Sequence, residues 1–109
     1  MEKQIQITIT PEAENFIDNL SEKVQRKFTR EFGKVTMGIR ANFSKLNENI
    51  WEFSVDGDNN FYRLFAFWDK AGKHATLIVC THGIEKEKNK TPKKEIEKAE
   101  KIRQQYFDS

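Results

Sequence analysis

The stretch IWEFSVDGDNNFYRLFAFWDKAGKHATLIVCTH (Ile50–His82) decides the fold, because it contains three strand patterns joined by short turns. In Ile50–Val55 apolar and polar residues alternate, as in a strand with one buried face. The runs Phe61–Trp68 and His74–His82 are rich in the aromatic and β-branched residues that favour strands. The segments between them contain Asp, Asn and Gly, which are typical of turns. Short turns between consecutive strands predict an antiparallel meander.

The residues before this meander predict one more strand and two helices. Apolar and polar residues alternate over positions 5–9, and Thr10 followed by Pro11 is typical of a helix start. Ser21 can cap a second, longer amphipathic helix, after which residues 42–49 form a loop. The apolar stripe of that long helix recurs every three or four residues and consists of Val24, Phe28, Phe32, Val35, Ile39 and Phe43.

A basic turn and a third helix follow the meander. Thr91 followed by Pro92 predicts the helix start, with Thr91 as the cap and Pro92 at the first helical position. The packing seam of this helix consists of Ile96, Ala99, Ile102 and Tyr106. The predicted order is therefore β-α-α-β-β-β-α in a single α+β domain spanning residues 1–109, with the two N-terminal helices on one face of the sheet.

Composition excludes several classes of protein. The 109 residues contain one Cys and two His, which argues against a disulfide framework or a structural zinc site and for a reducing cytoplasm. We find no long apolar run for a membrane span and no secretory signal, and therefore expect no membrane partner. There is no P-loop, GxGxxG, GxSxG or His-Glu-x-x-His motif. Cys80 lies within an apolar strand, which predicts a buried, unreactive thiol.

Positive charge is concentrated near the C-terminus. The formal net charge is only +2, but residues 82–103 contain eight Lys or Arg against five Glu. Such a segment can hold phosphate, or it can be a solvated turn and helix that keeps the protein soluble.

Two individual residues are candidates for chemistry. Arg63 interrupts an apolar strand, where it either pairs with Glu52 on the neighbouring strand or faces an open sheet surface and binds phosphate. His82 at the end of the next strand is either a hydrogen-bonded structural residue or a proton-transfer group. Asp56 and Asp58 could form a carboxylate pair, but their turn explains both.

These segments together resemble the RelE/ParE superfamily of bacterial toxins, and most closely its HigB-like, phage-derived branch. The resemblance is carried by NIWEFSVDGDNNFYRLFAF, by LIVCTHGIEKEKNKTPKKEIEKA and by the tail EKIRQQYF, in that order. It implies the toxin of a type II toxin–antitoxin system. Such a toxin is a metal-independent endoribonuclease that cuts mRNA on the ribosome, inhibits translation and is silenced by a cognate antitoxin. No cofactor is implied.

The resemblance also implies site residues. Arg63 matches the strand position that meets the scissile phosphate, Lys86 the first Lys of a Lys-Lys turn, and Lys90 the Lys before Thr-Pro. We expect these three to be catalytic, with His82 as a candidate acid or base. Weaker RNA contacts are expected from Lys88, Lys93, Lys94, Arg40 and Lys45.

Three family positions differ in this chain. The first strand of the meander has Ser54 where the family has an Arg, and the basic turn has Glu87 where the family has a second Lys. The last helix has Ile96 near the place where some members have a Tyr. Two alternatives therefore stay open. One is a ParE-like inhibitor of DNA gyrase on the same fold. The other is a degenerate toxin that binds RNA or its antitoxin without cutting.

Overall fold

The computed structural model describes residues 3–86 and 90–109. The elements are β1 (Gln4–Ile9), α1 (Pro11–Asp18), α2 (Glu22–Thr36), β2 (Phe43–Lys45), β3 (Trp51–Gly57), β4 (Asn60–Asp69), β5 (Ala75–Lys86) and α3 (Lys93–Asp108). The five strands form one sheet in the order β1-β5-β4-β3-β2. Strand β1 runs parallel to β5, and the other neighbours are antiparallel. The predicted α+β class and the predicted meander β3-β4-β5 are confirmed.

The first two helices begin where the sequence predicts. The Thr10 hydroxyl accepts a hydrogen bond from the Ala13 backbone N–H at 3.1 Å, and the Ser21 hydroxyl accepts one from Val24 at 3.3 Å. Each cap satisfies a backbone donor that the first turn of a helix leaves without an intrahelical partner.

The end of the second helix differs from the prediction. We expected the helix to continue through Ile39 and Phe43, but α2 ends at Thr36. Gly38 takes the left-handed conformation (φ 75°), which closes a helix at low cost because glycine has no Cβ. Ile39 is left exposed, and Phe43 belongs to the short strand β2, where its ring lies 4.2 Å from that of Phe53. The helical spacing of Phe43 was therefore coincidental.

The turn of the hairpin between β3 and β4 consists of two residues. Asp58 and Asn59 have φ angles of 51° and 65°, as a two-residue turn of the type favoured in hairpins requires. The resulting register places Ser54 opposite Arg63.

Strand β5 is longer than predicted. We expected it to end at His82 and to be followed by a basic turn, but it continues to Lys86. The register shifts between Phe65, which pairs with His82, and Ala66, which pairs with Cys80. Beyond this bulge the strand stays paired with β4, so Lys86 is held opposite Phe61 on the sheet.

The two faces of the sheet bury separate cores. One face packs against α1 and α2 through a cluster that includes Val24, Phe28, Phe53 and Leu64. The other packs against α3 through Ile50, Phe65, Phe67, Val79 and Ala99. Cys80 is buried in the first core, as predicted, and burial raises the pKa of its thiol to about 12.

Within the described residues, no helix combines the length and the apolar character that a membrane span needs.

Candidate active site

The face of the sheet that carries α3 continues past the N-terminal end of that helix. There β3, β4 and β5 present Glu52, Arg63 and Lys86, and the segment before α3 adds Thr91. All four side chains are linked by contacts described below. We call this group the Arg63 cluster.

Arg63 is nearly buried, with 5% of its surface exposed. Its Nε lies 3.8 Å from Glu52 Oε1, and its Nη1 lies 3.4 Å from Asp56 Oδ1. Nη1 also donates a hydrogen bond to the Tyr62 carbonyl at 2.9 Å, and the guanidinium carbon lies 5.6 Å from the centre of the Phe61 ring. Of the two alternatives given for Arg63, the structure shows the pairing with Glu52. A buried Arg needs such partners, because an uncompensated charge inside a protein is costly.

Thr91 connects the second cation to the same carboxylate. Lys86 Nζ donates to Thr91 Oγ1 at 3.1 Å, and that hydroxyl donates to Glu52 Oε1 at 3.0 Å. The predicted role of Thr91 as helix cap is wrong, since Pro92 is the capping residue of α3 and no side chain caps it. The hydroxyl bonds to the sheet because Glu52 is a charged acceptor, which makes a stronger hydrogen bond than a neutral one.

The electrostatics of the cluster act mainly on Lys86. Burial lowers the pKa of its ammonium group, and the nearby positive charge of Arg63 lowers it further, while Glu52 acts in the opposite direction. Two cations held side by side favour a ligand with concentrated negative charge, such as phosphate.

The sequence matches a model of a known protein family over most of its length. A family model described as "Phage derived protein Gp49-like" matches residues 15–104, which is most of the chain. The chain belongs to the Gp49-like family. This family is phage-derived and toxin-like, and its members resemble RelE, so the predicted relation to toxin–antitoxin proteins is confirmed at that level. No curated protein and no solved structure matches the chain.

The Gp49-like chain holds His82 inside the protein rather than at the surface. It is 1% exposed, its ring stacks on Phe65 at 4.8 Å, and its nitrogens contact Thr81 Oγ1 at 3.0 Å and Glu95 Oε1 at 3.3 Å. Burial lowers the pKa of the imidazole, with a smaller lowering by Lys98 and a raising by Glu95. The placement favours a structural role that joins α3 to the sheet.

Lys90, which was predicted to be catalytic, and four of the five predicted RNA contacts are exposed positions around the cluster or away from it. Lys90 is exposed one residue before Thr91, and Lys93 and Lys94 are exposed at the start of α3. Arg40 is exposed between α2 and β2, and Lys45 lies at the end of β2. The fifth predicted RNA contact, Lys88, and Glu87, which stands where the family has a second Lys, lie outside the described residues.

Two members of the Arg63 cluster were not predicted as site residues. Glu52 was expected only as a partner of Arg63, and Thr91 only as a cap. The signal for Glu52 was available, since a Glu and an Arg placed diagonally on two neighbouring strands mark a polar site in an apolar sheet. Across residues 3–86 and 90–109, no three His, Cys, Asp or Glu side chains come together in an arrangement that could hold a metal.

Proposed function

We propose that this Gp49-like protein is the toxin of a type II toxin–antitoxin system and an endoribonuclease that cuts mRNA on the ribosome. The observation that carries the proposal is the Arg63 cluster, in which two cations on neighbouring strands, Arg63 and Lys86, surround one carboxylate, Glu52. RNA cleavage needs both kinds of group: positive charge for the phosphate and an acceptor for a proton.

The reaction breaks one P–O bond and forms another. The 2′-oxygen of a nucleotide attacks the adjacent phosphorus and loses its proton to a base. The bond from phosphorus to the 5′-oxygen of the next nucleotide then breaks, and that oxygen takes up a proton. The products are a 2′,3′-cyclic phosphate and a free 5′-hydroxyl, and no oxidant or reductant is needed.

Each residue of the site has a separate role in the proposed reaction. Glu52 accepts the proton of the 2′-hydroxyl, and Arg63 and Lys86 stabilise the negative charge on the phosphorane. Lys86 is also suited to protonate the leaving 5′-oxygen, because a lowered pKa makes its ammonium group a better acid. Lys90 adds positive charge at the rim. His82 acts as a positioning residue that holds α3, and with it Thr91, on the sheet.

The ribosome and a cognate antitoxin are the proposed partners. An mRNA held by the ribosome presents its backbone in a defined geometry, which supplies orientation that a small open site lacks. An antitoxin that covers the Arg63 cluster would silence the toxin.

The test is to map mRNA 5′ ends in translating and non-translating extracts after addition of the purified protein. We expect new ends only during translation, and none with Arg63→Ala. Circular dichroism of the variant checks that it is folded, since Arg63 is buried. Loss of DNA supercoiling with intact mRNA would instead support a gyrase inhibitor.

One observation favours a second candidate, a protein that binds RNA or antitoxin without cutting. Ser54 faces Arg63 across the β3-β4 pair where the related toxins have an Arg, so one cation is missing beside the cluster. Binding of RNA or antitoxin without new mRNA ends and without loss of supercoiling would support this candidate.

A further inference from the structure

A cleft with a cavity volume of about 460 Å³ separates α2 from the edge of β3. It exists because β2 is short and pairs with β3 only from Trp51 to Phe53. Beyond this point Val55 and Asp56 pair with β4 on one side but have no strand on the other, and α2 forms the opposite wall. Arg63 lines one side of the cleft, so the cleft opens onto the Arg63 cluster. We call it the α2 cleft.

The α2 cleft is positively charged. Lys27, Arg30 and Lys34 line it from one face of α2, since they are spaced three and four residues apart, and Arg63 lines it from the sheet. The carboxylates in its wall are Glu31 and Asp56. Four cations against two anions leave an excess of positive charge.

Part of this charge has a structural role and part does not. The nearly buried Glu31 pairs with Lys34 at 3.1 Å and accepts a hydrogen bond from the Asn42 backbone N–H at 2.8 Å, which ties α2 to the following loop. Lys27 donates to the Asp56 carbonyl. Arg30, in contrast, is exposed and forms no hydrogen bond or ion pair with a residue in the described ranges.

The lining of the cleft favours a nucleic-acid backbone over a protein segment. Val55 is the one apolar side chain that the described residues contribute to it. Protein partners anchor themselves through apolar and aromatic contacts in the centre of an interface, and the α2 cleft offers almost none. A row of Lys and Arg side chains suits successive phosphates instead.

We infer that the α2 cleft binds the phosphates of the RNA strand that flank the scissile phosphate, with Arg30 as a contact that serves binding alone. This inference rests on the proposed function, because it takes the strand that the Arg63 cluster cuts to continue along α2. RNA would then be held on both sides of Arg63, by Lys90 and the start of α3 on one side and by α2 on the other.

The test compares Arg30→Ala with Arg26→Ala. Both residues are exposed arginines on α2, but Arg26 lies outside the cleft and pairs with Glu22 at 3.7 Å. The probe is a fluorescently labelled single-stranded 2′-O-methyl oligoribonucleotide, which cannot be cut because its 2′-oxygens are blocked. Fluorescence anisotropy gives its affinity for the purified protein over a range of salt concentrations.

We expect Arg30→Ala to weaken RNA binding about tenfold, the effect of one charge-assisted hydrogen bond. The slope of log K against log salt should fall by about 0.7, as for one lost phosphate contact on a single strand. Arg26→Ala should match the wild type. Equal affinities and slopes for the two variants would overturn the inference. Displacement of the probe by poly-glutamate as effectively as by unlabelled RNA of the same length would also overturn it, in favour of an acidic polypeptide.

Cleavage in translating extract separates this inference from the proposed function. If the wild type binds RNA through Arg30 but makes no cuts, the nuclease proposal fails and the RNA-binding cleft stands. If the wild type cuts and Arg30→Ala binds and cuts like Arg26→Ala, the nuclease proposal stands and the cleft inference fails.

Discussion

Glu52 connects the two cations of the candidate site. It lies 3.8 Å from Arg63 Nε and accepts the hydrogen bond of Thr91, which in turn accepts one from Lys86. At 8% exposure it is shielded from water, so its charge acts strongly on these neighbours. A carboxylate in this position can either neutralise Arg63 permanently or accept a proton when phosphate takes over as the partner of Arg63.

The first prediction tests that choice with Glu52→Gln. The amide keeps the size of the side chain and still accepts a hydrogen bond from Thr91, but it cannot take up the proton of a 2′-hydroxyl. Loss of a general base lowers a rate by roughly 10²–10⁴-fold, and we expect cleavage in translating extract to fall by that amount. Quantitative 5′-end mapping over time measures it.

Asp56→Asn is the matched control for Glu52→Gln. Asp56 also contacts Arg63, but its side chain is 68% exposed and does not contact Thr91 or Lys86 in the described structure. We expect at most a twofold change in its cleavage rate, since exposed ion pairs contribute little. Equal losses in the two variants would show that Glu52 serves Arg63 only as a counter-ion.

The second prediction concerns the Thr91 hydroxyl. Thr91→Val keeps the shape of the side chain but removes the link between Lys86 and Glu52. Loss of the two charge-assisted hydrogen bonds that this hydroxyl forms with Lys86 and Glu52 should cost about 1–3 kcal/mol of stability, which urea unfolding would show. Thr91→Ser restores the hydroxyl and should recover most of the free energy of unfolding. A Val variant as stable as the wild type would contradict the hydrogen-bonded bridge.

The sequence predicted some of these contacts and not others, for a physical reason. Glu52 and Arg63 lie on strands joined by a two-residue turn, so local turn chemistry places them close together. Thr91 reaches Glu52 only because α3 docks across the sheet, 39 residues further along the chain. No local pattern encodes that docking, whereas Thr before Pro matches a local capping pattern that the tertiary structure overrides.

At the scale of elements, α2 shows how one glycine ends a helix and another weakens it. Gly33 and Gly38 both fall within the long helix that the sequence predicted from Val24 to Phe43. Gly33 lies inside α2, whereas Gly38 has a φ of 75° and follows Met37, the C-cap residue of the helix. Neither has a neighbour within 4 Å of the position that a Cβ would take, so steric room does not distinguish them.

The third prediction is that the same substitution at these two glycines has opposite effects. Gly33→Ala should raise the free energy of unfolding by about 0.5–1 kcal/mol, because alanine is the better helix former. Gly38→Ala should lower it by about 1 kcal/mol or more, because a Cβ is strained at positive φ. Thermal or urea unfolding of the two variants measures both. Stabilisation by both would place Gly38 in a continuing helix.

The contact between β5 and α3 through His82 leads to the fourth prediction. Burial holds the pKa of His82 below its ordinary value of 6.5. Lys98 lowers it further, while Glu95 and Glu12 raise it to a smaller extent. The unfolded chain therefore binds a proton below pH 6.5 that the native protein does not, and the free energy of unfolding falls as the pH decreases through this range.

His82→Gln should remove this pH-dependent term. Between pH 7.5 and 5.5 we expect the wild type to lose more free energy of unfolding than His82→Gln does, with a limiting slope of about 1.4 kcal/mol per pH unit. His74→Gln, at an exposed position, should retain the wild-type dependence. Urea unfolding at a series of pH values measures all three proteins, and identical curves would show that His82 has no depressed pKa.

At the scale of the whole molecule, the sheet separates two cores with different tasks. The core beneath α1 and α2 is the larger, and it contains residues of the apolar stripe predicted for the long helix, such as Val24 and Phe28. The core beneath α3 is small, and the Arg63 cluster lies next to it. The sequence predicted the order of the other elements, because each follows from local periodicity, but it missed the short strand β2, which lies where a loop was expected. It could not predict the α2 cleft, which arises from the shortness of β2 and the early end of α2.

The docking of α3 on the sheet completes the candidate site. A substitution at Ala99 tests whether cleavage needs this docking. Ala99 is fully buried where α3 packs on the sheet. Ala99→Leu adds volume to a filled space and should cost about 1–3 kcal/mol of stability. It should also move the start of α3 away from the sheet, which separates Thr91 from Glu52. We expect a lower cleavage rate even though Arg63, Lys86 and Glu52 are unchanged.

Hydrogen exchange and a matched variant separate this effect from general unfolding. In Ala99→Leu, amides of α3 should exchange faster while those of β3 and β4 remain protected, because the first core still packs on the opposite face of these strands. Lys101→Leu introduces the same side chain at an exposed position of α3 and should leave both exchange and cleavage unchanged. Wild-type cleavage by an Ala99→Leu protein with a loosened α3 would show that the sheet residues suffice, and that Thr91 is dispensable for the chemistry.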